Sequence, residues 1–104
     1  MNAQIWFSMS LFEQLSNIDG EVKRLVDSHE RMLAGVSTDD HAMDYIRNIM
    51  HLVELTFDDP KNASKKVAEK ELIDEISEII KYLNGEYPPQ YITDYWNQFT
   101  CAIS

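Results

Sequence analysis

The residues best suited to chemistry begin with Arg24 and His29, a guanidinium and an imidazole five positions apart in one apolar-periodic stretch. An imidazole can move a proton and a guanidinium can stabilise anionic charge developing on a phosphate. On a helix, however, a five-residue separation turns two side chains away from a common face. His29 also falls on the apolar stripe, so a partly packed histidine with one satisfied nitrogen is favoured over a catalytic one. His41, Asp44 and His51, with Asp40 nearby, carry metal-ligating atoms, but only His41 and Asp44 stand at helical contact spacing. Solvated side chains are the favoured reading there, and no metal or other cofactor is expected.

Asp58-Asp59 before Pro60 offers carboxylates, yet aspartates ahead of a proline are also ordinary turn chemistry, which is preferred. Lys61, Lys65, Lys66 and Lys70 form the one stretch suited to a phosphate or an acidic partner, diluted by acidic residues from Glu69 onward. The aromatics Tyr87, Tyr91, Tyr95, Trp96 and Phe99 are dense for one segment. Tyr and Trp are favoured interface anchors, so Tyr87, Tyr91, Tyr95 and Trp96 are the candidate interface residues. The sequence contains no phosphate-cradling glycine loop, no glycine-flanked serine and no cysteine-histidine pair of workable spacing, which leaves most familiar catalytic classes unsupported.

These residues must be positioned by helices. Leu11, Leu15, Ile18, Val22, Leu25 and Met32, with His29 among them, alternate at spacings of three and four and predict a first helix over 8–33. Gly20 lies within it and marks a bend, a close helix contact, or neither. Gly35 and the oxygen-bearing Ser37-Thr38-Asp39-Asp40 close that helix and open a second over 39–57, whose stripe is Ala42, Tyr45, Ile46, Ile49, Val53 and Phe57. Pro60 ends it, because a proline disfavours helical geometry in the residue before it. A third helix over 64–84 presents Leu72, Ile73, Ile76, Ile79, Ile80 and Leu83 inward, with Glu71, Asp74, Glu75, Glu78 and Lys81 on the solvent side, and stops at Asn84-Gly85. A fourth over 89–102 starts at a proline and carries Ile92, Trp96, Phe99 and Ile103. The expected fold is all-α, a four-helix up-and-down bundle forming one domain over 1–104.

The 104 residues are 44% hydrophobic and 11% aromatic, a composition that packs into a globule. Eighteen acidic against nine basic side chains give a formal charge of -9, which repels phosphate backbones and disfavours direct nucleic-acid or anionic-membrane binding. A basic or neutral protein partner, or self-association as a homodimer, suits such a chain better. Cys101 is the only cysteine, excluding an internal disulfide. The first seven residues lack the pattern of a signal peptide and no apolar run approaches a bilayer-spanning length, so a cytoplasmic protein without a membrane role is expected.

Two resemblances sharpen these expectations. Arg24-Leu25-Val26-Asp27-Ser28-His29 is similar to the arginine-histidine signature of HEPN-domain ribonucleases, helical bundles that commonly dimerise to pair two such sites. That likeness implies a metal-independent ribonuclease acting through Arg24 and His29. More of the chain, in Leu15-Ser16-Asn17-Ile18-Asp19-Gly20-Glu21-Val22, in the run from Leu52 to Asn62, and in Tyr95-Trp96-Asn97-Gln98-Phe99, resembles small helical proteins associated with minimal nucleotidyltransferase genes. It departs from their pattern at Asp19-Gly20, where glycine then serine is usual. The resemblance implies an accessory protein beside a nucleotidyltransferase in a toxin-antitoxin-like pair, and no established activity. The leading expectation is therefore a non-enzymatic interaction module. The alternatives are the ribonuclease, and an acidic immunity or inhibitor protein whose Asp39, Asp40, Asp44, Asp58 and Asp59 mimic nucleic acid.

Overall fold

The computed structural model describes residues 2–36, 41–63, 66–92 and 94, with backbone only for 66–71. Every regular element among them is helical, so the chain is all-α. Helix α1 spans Ala3–Phe7, α2 Leu11–Leu33, α3 Ala42–Asp58 and α4 Lys66–Leu83; a 3-10 turn over Pro60–Asn62 separates α3 from α4. Residues 89–92 are helical again, where the fourth helix was expected to begin. Its continuation to 102, and the first residues expected for the second and third helices, lie outside the described residues.

The first helix does not start at residue 8. Ser10 adopts an extended backbone and caps α2, its Oγ accepting from the Glu13 amide at 3.1 Å and donating to the Glu13 carboxylate at 3.1 Å. The chain before it forms the separate α1, capped by Asn2 Oδ1 on the Gln4 amide at 2.7 Å. Five residues are too few for a helix to persist alone, so α1 is held by what it packs against. It delivers Trp6, fully buried, into the core.

Helix α2 runs unbroken through Gly20. A methyl group built there would meet only the Arg24 guanidinium, at 3.7 Å, so neither a bend nor a close helix approach explains this glycine. Gly35 and Gly85 do have a conformational task. Both sit at positive φ, +74° and +83°, just past the ends of α2 and α4. The following amides, Val36 and Glu86, reach back to the carbonyls of Arg31 and Lys81 at 3.0 Å each, while the glycine amides bond Met32 and Tyr82. Left-handed geometry is what lets those carbonyls be satisfied.

Helix α3 packs against α1, α2, the 3-10 turn and α4. The core consists of Trp6, then Leu11, Leu15, Ile18, Val22, Leu25 and Val26 of α2, Ala42, Ile46, Ile49, Leu52 and Val53 of α3, and Leu72, Ile79 and Tyr82 of α4 with Ile92. Tyr82 Oη reaches the Val26 carbonyl at 3.5 Å, tying α4 to α2. The inward face of α4 is rotated from the expected one. Glu75, expected in solvent, is 1% exposed, whereas Ile73 and Ile80, expected in the core, are 55% and 46% exposed. The contact line follows Leu72, Glu75, Ile79 and Tyr82, so the far edge of the isoleucine stripe falls outside it. Tyr45 and Phe57 of α3 and Met32 of α2 are only partly buried, and His29 is partly buried as expected.

Candidate functional site

Among the described residues, two places that gather polar side chains stand out. The first is a surface cleft of about 480 Å³ between α2 and the first turns of α3. Residues i, i+4 and i+7 share one side of a helix, so Lys23, Arg24, Asp27, Ser28 and Arg31 line the α2 wall. The α3 wall is His41 and Tyr45, again four apart. The His41 amide donates to Ser28 Oγ at 3.1 Å, fixing the start of α3 on α2. The cations have acidic neighbours along their own helix: Lys23 with Asp19 at 2.9 Å, Arg24 with Glu21 at 2.6 Å, Arg31 with Asp27 at 3.8 Å.

Arg24 therefore lines this cleft. His29 does not; its ring meets the edge of Tyr82 with centroids 5.4 Å apart at 74°. The five-residue separation has the consequence that helical geometry requires, and the two side chains face different neighbours. His41 approaches Asp44 at 3.7 Å, and Arg47 approaches the same carboxylate at 3.6 Å. His51 is exposed farther along α3, and no group of metal-ligating side chains occurs among the described residues. Asp40 lies outside them.

The second place is a buried polar cluster at the other end of α3, made by residues far apart in the chain. Gln14, fully buried, donates from Nε2 to the Trp6 carbonyl at 2.9 Å and to Asp59 Oδ2 at 2.8 Å. Its Oε1 accepts from Asn62 Nδ2 at 3.0 Å, and the same amide donates to the Thr56 carbonyl at 3.0 Å. Thr56 Oγ1 accepts from the Trp6 indole at 3.0 Å and donates to the Leu52 carbonyl at 2.8 Å. Lys61 Nζ bridges the Asp59 carboxylate and the Phe7 carbonyl, so a cation caps the C-terminal end of α1. Asp59 also caps the 3-10 turn through the Lys61 amide at 3.1 Å.

Burial opposes ionisation of Asp59, but the hydrogen bonds from the Lys61 side chain, from Gln14 and from the Lys61 amide, with the lysine's charge, outweigh it and hold the carboxyl below its ordinary value. The turn chemistry expected of Asp58-Asp59 is present, and Asp59 does more. At 3% exposure it presents no outward charge, which corrects its inclusion in an acidic surface. Asp44 and Asp58 are exposed, while Asp39 and Asp40 lie outside the described residues. The cluster donates and accepts among its own members, and what it does is lock α1, α2, α3 and the turn together.

Of the lysine stretch, Lys61 is engaged as above, while the side chains of Lys65, Lys66 and Lys70 lie outside the description. Tyr87 is half-buried with its ring 4.5 Å from that of Tyr91, which is exposed. A hydrogen bond to Glu78, assisted by burial and by that carboxylate's charge, raises the Tyr87 hydroxyl above its ordinary range. Tyr95 and Trp96 lie outside the described residues.

Sequence reasoning gave no site role to Trp6, Gln14, Thr56 and Asn62, nor to Lys23 and Arg31 of the cleft, and it read Tyr45 as part of the second helix's apolar stripe. A polar Gln14 placed between Leu11, Leu15 and Ile18 was the available sign of a buried hydrogen-bonding role. No family model matches the chain, and no curated protein or solved structure matches it either.

Proposed function

We propose that this chain is a non-enzymatic interaction module of the cytoplasm, a four-helix up-and-down bundle that docks a basic protein partner. The observation that carries this reading is the pair of isoleucines, Ile73 and Ile80, left exposed seven residues apart on α4. Apolar side chains at that spacing are the anchors by which one helix face meets a partner, and α3 repeats the arrangement with exposed Met43 and Met50. Exposed Asp74 borders Ile73, and Asp44 and Glu54 border the methionines. With a formal charge of -9, a basic partner gains from complementarity where a second copy of the chain would meet repulsion. The resemblance to helical proteins associated with minimal nucleotidyltransferases supports a partner of that kind in a toxin-antitoxin-like pair. Arg24 in a cleft and His29 against Tyr82 lend no support to the ribonuclease reading.

The test is capture from native cell extract at moderate salt by the tagged chain, in parallel with an Ile73→Lys/Ile80→Lys variant, with light scattering on the purified chain. A basic protein bound near equal stoichiometry, released by salt and missed by the variant, is the expected outcome. Retained RNA without a protein would sink the reading. A purified chain that is already dimeric, and becomes monomeric with the two lysines, would replace the basic partner with a second copy.

A further inference from the structure

We propose that the cleft between α2 and α3 binds a small phosphate ester of about mononucleotide size. The inference stands apart from the docking surface, since none of its residues carries that argument. Three of the nine lysine and arginine side chains of a chain charged -9 converge here, Lys23, Arg24 and Arg31, against one lining carboxylate among the described residues, Asp27. A random scatter of surface charge on so acidic a protein would more readily give an acidic cleft.

The cations remain available to an anion. Lys23, Arg24 and Arg31 are themselves 51%, 61% and 59% exposed, and the Arg31 pairing with exposed Asp27 at 3.8 Å is of the kind that holds weakly. Asp19 and Glu21 are not part of the lining. Arg24 uses Nη1 on Glu21 and is exposed, and a guanidinium carries five N–H donors in a planar fork, which leaves donors for phosphate oxygens. Ser28 Oγ accepts the His41 amide and keeps its own proton to donate. Tyr45 gives the α3 wall a half-buried ring against which a planar base can lie. The volume of about 480 Å³ lies within the range of small-ligand sites and exceeds what a bare phosphate needs. Arg24 and Arg31, seven residues apart, stand on the same side of α2 about two turns from one another, a spacing that lets one guanidinium hold the phosphate while the other donates to ribose or base oxygens of the same extended ligand.

The experiment titrates the isotope-labelled full chain with AMP and, separately, with inorganic pyrophosphate, following backbone amide shifts at low salt. Saturable shifts confined to the amides around Ser28, His41 and Tyr45 are expected, with AMP affinity weakened about tenfold for each guanidinium removed in Arg24→Gln and Arg31→Gln. Both positions are exposed, and an unchanged circular dichroism spectrum establishes that the variants keep the fold. The proposal is overturned if neither probe saturates below on the order of 10 mM, or if the shifts persist in the double variant. It is overturned equally if affinity for single-stranded oligonucleotides grows with length beyond that for AMP, which would make the cleft part of a nucleic-acid surface.

Discussion

Replacing Gln14 with leucine keeps the volume of the side chain and removes three hydrogen bonds from the interior: those to the Trp6 carbonyl, to Asp59 and from Asn62. No partner loses its last hydrogen bond, although one of the two Asn62 N–H groups loses its acceptor. The Trp6 carbonyl still accepts the Met9 amide at 3.1 Å, Asp59 keeps Lys61, and Asn62 keeps the Thr56 carbonyl. The bonds to the Trp6 carbonyl and Asp59 cost at the modest end, and with the Asn62 N–H that loses its acceptor the average is about 1 kcal/mol each. Burying leucine atoms in place of the amide returns about 1 kcal/mol. The net loss is about 2 kcal/mol, against a total of about 5 to 15 kcal/mol for a chain of this length. Urea unfolding followed by circular dichroism reads this as a lower midpoint at unchanged slope. A double-mutant cycle with Asn62→Ala isolates the direct bond, with a coupling of about 1 kcal/mol expected. A loss for Gln14→Leu under about 0.5 kcal/mol, with no coupling to Asn62, would refute the claim that this cluster holds the fold.

Three further outcomes follow from the same structure. Asp59 is more acidic folded than unfolded, so its contribution is fully present above the ordinary carboxyl value of 3.8 and is lost as pH falls through the lower folded value; Asp59→Asn should lower stability at neutral pH and narrow its difference from the parent between pH 5 and pH 3, read by urea midpoints across that range. Gly20→Ala should stabilise by about 0.5 to 1 kcal/mol, because the glycine is mid-helix and a methyl group meets only a flexible guanidinium at an ordinary contact distance. Gly85→Ala should act in the opposite direction by about 1 kcal/mol, since its φ of +83° strains any side chain; thermal melts of the two variants with opposite signs are the check.

The helical period shows which residues share a stripe, but not how much of a wide stripe a neighbour will cover. That is why Leu15, Ile18, Val22, Leu25, Ile46, Ile49, Leu72 and Ile79 were legible as core from spacing alone. The same rule misplaced Ile73, Ile80 and Glu75, because α4 carries apolar residues over more of its circumference than α2 and α3 can bury. The relation of Arg24 to His29 was equally legible, being fixed by the pitch of one helix. The cleft itself was not, because Lys23, Arg24 and Arg31 belong to α2 whereas His41 and Tyr45 belong to α3, and no local rule states which wall faces which.

What the sequence by itself determined is the all-α character, the ends of α2 and α4 at Gly35 and Gly85, and the break at Pro60, because these depend on backbone sterics and on neighbours within a few residues. Only the tertiary structure decided that a separate short helix would carry Trp6 onto Thr56, fifty positions away, and that Gln14 and Asp59, forty-five apart, would share a hydrogen bond inside the protein. A buried polar group must find its partner wherever the chain has brought one, and that demand is met in space and carries no fixed spacing along the sequence.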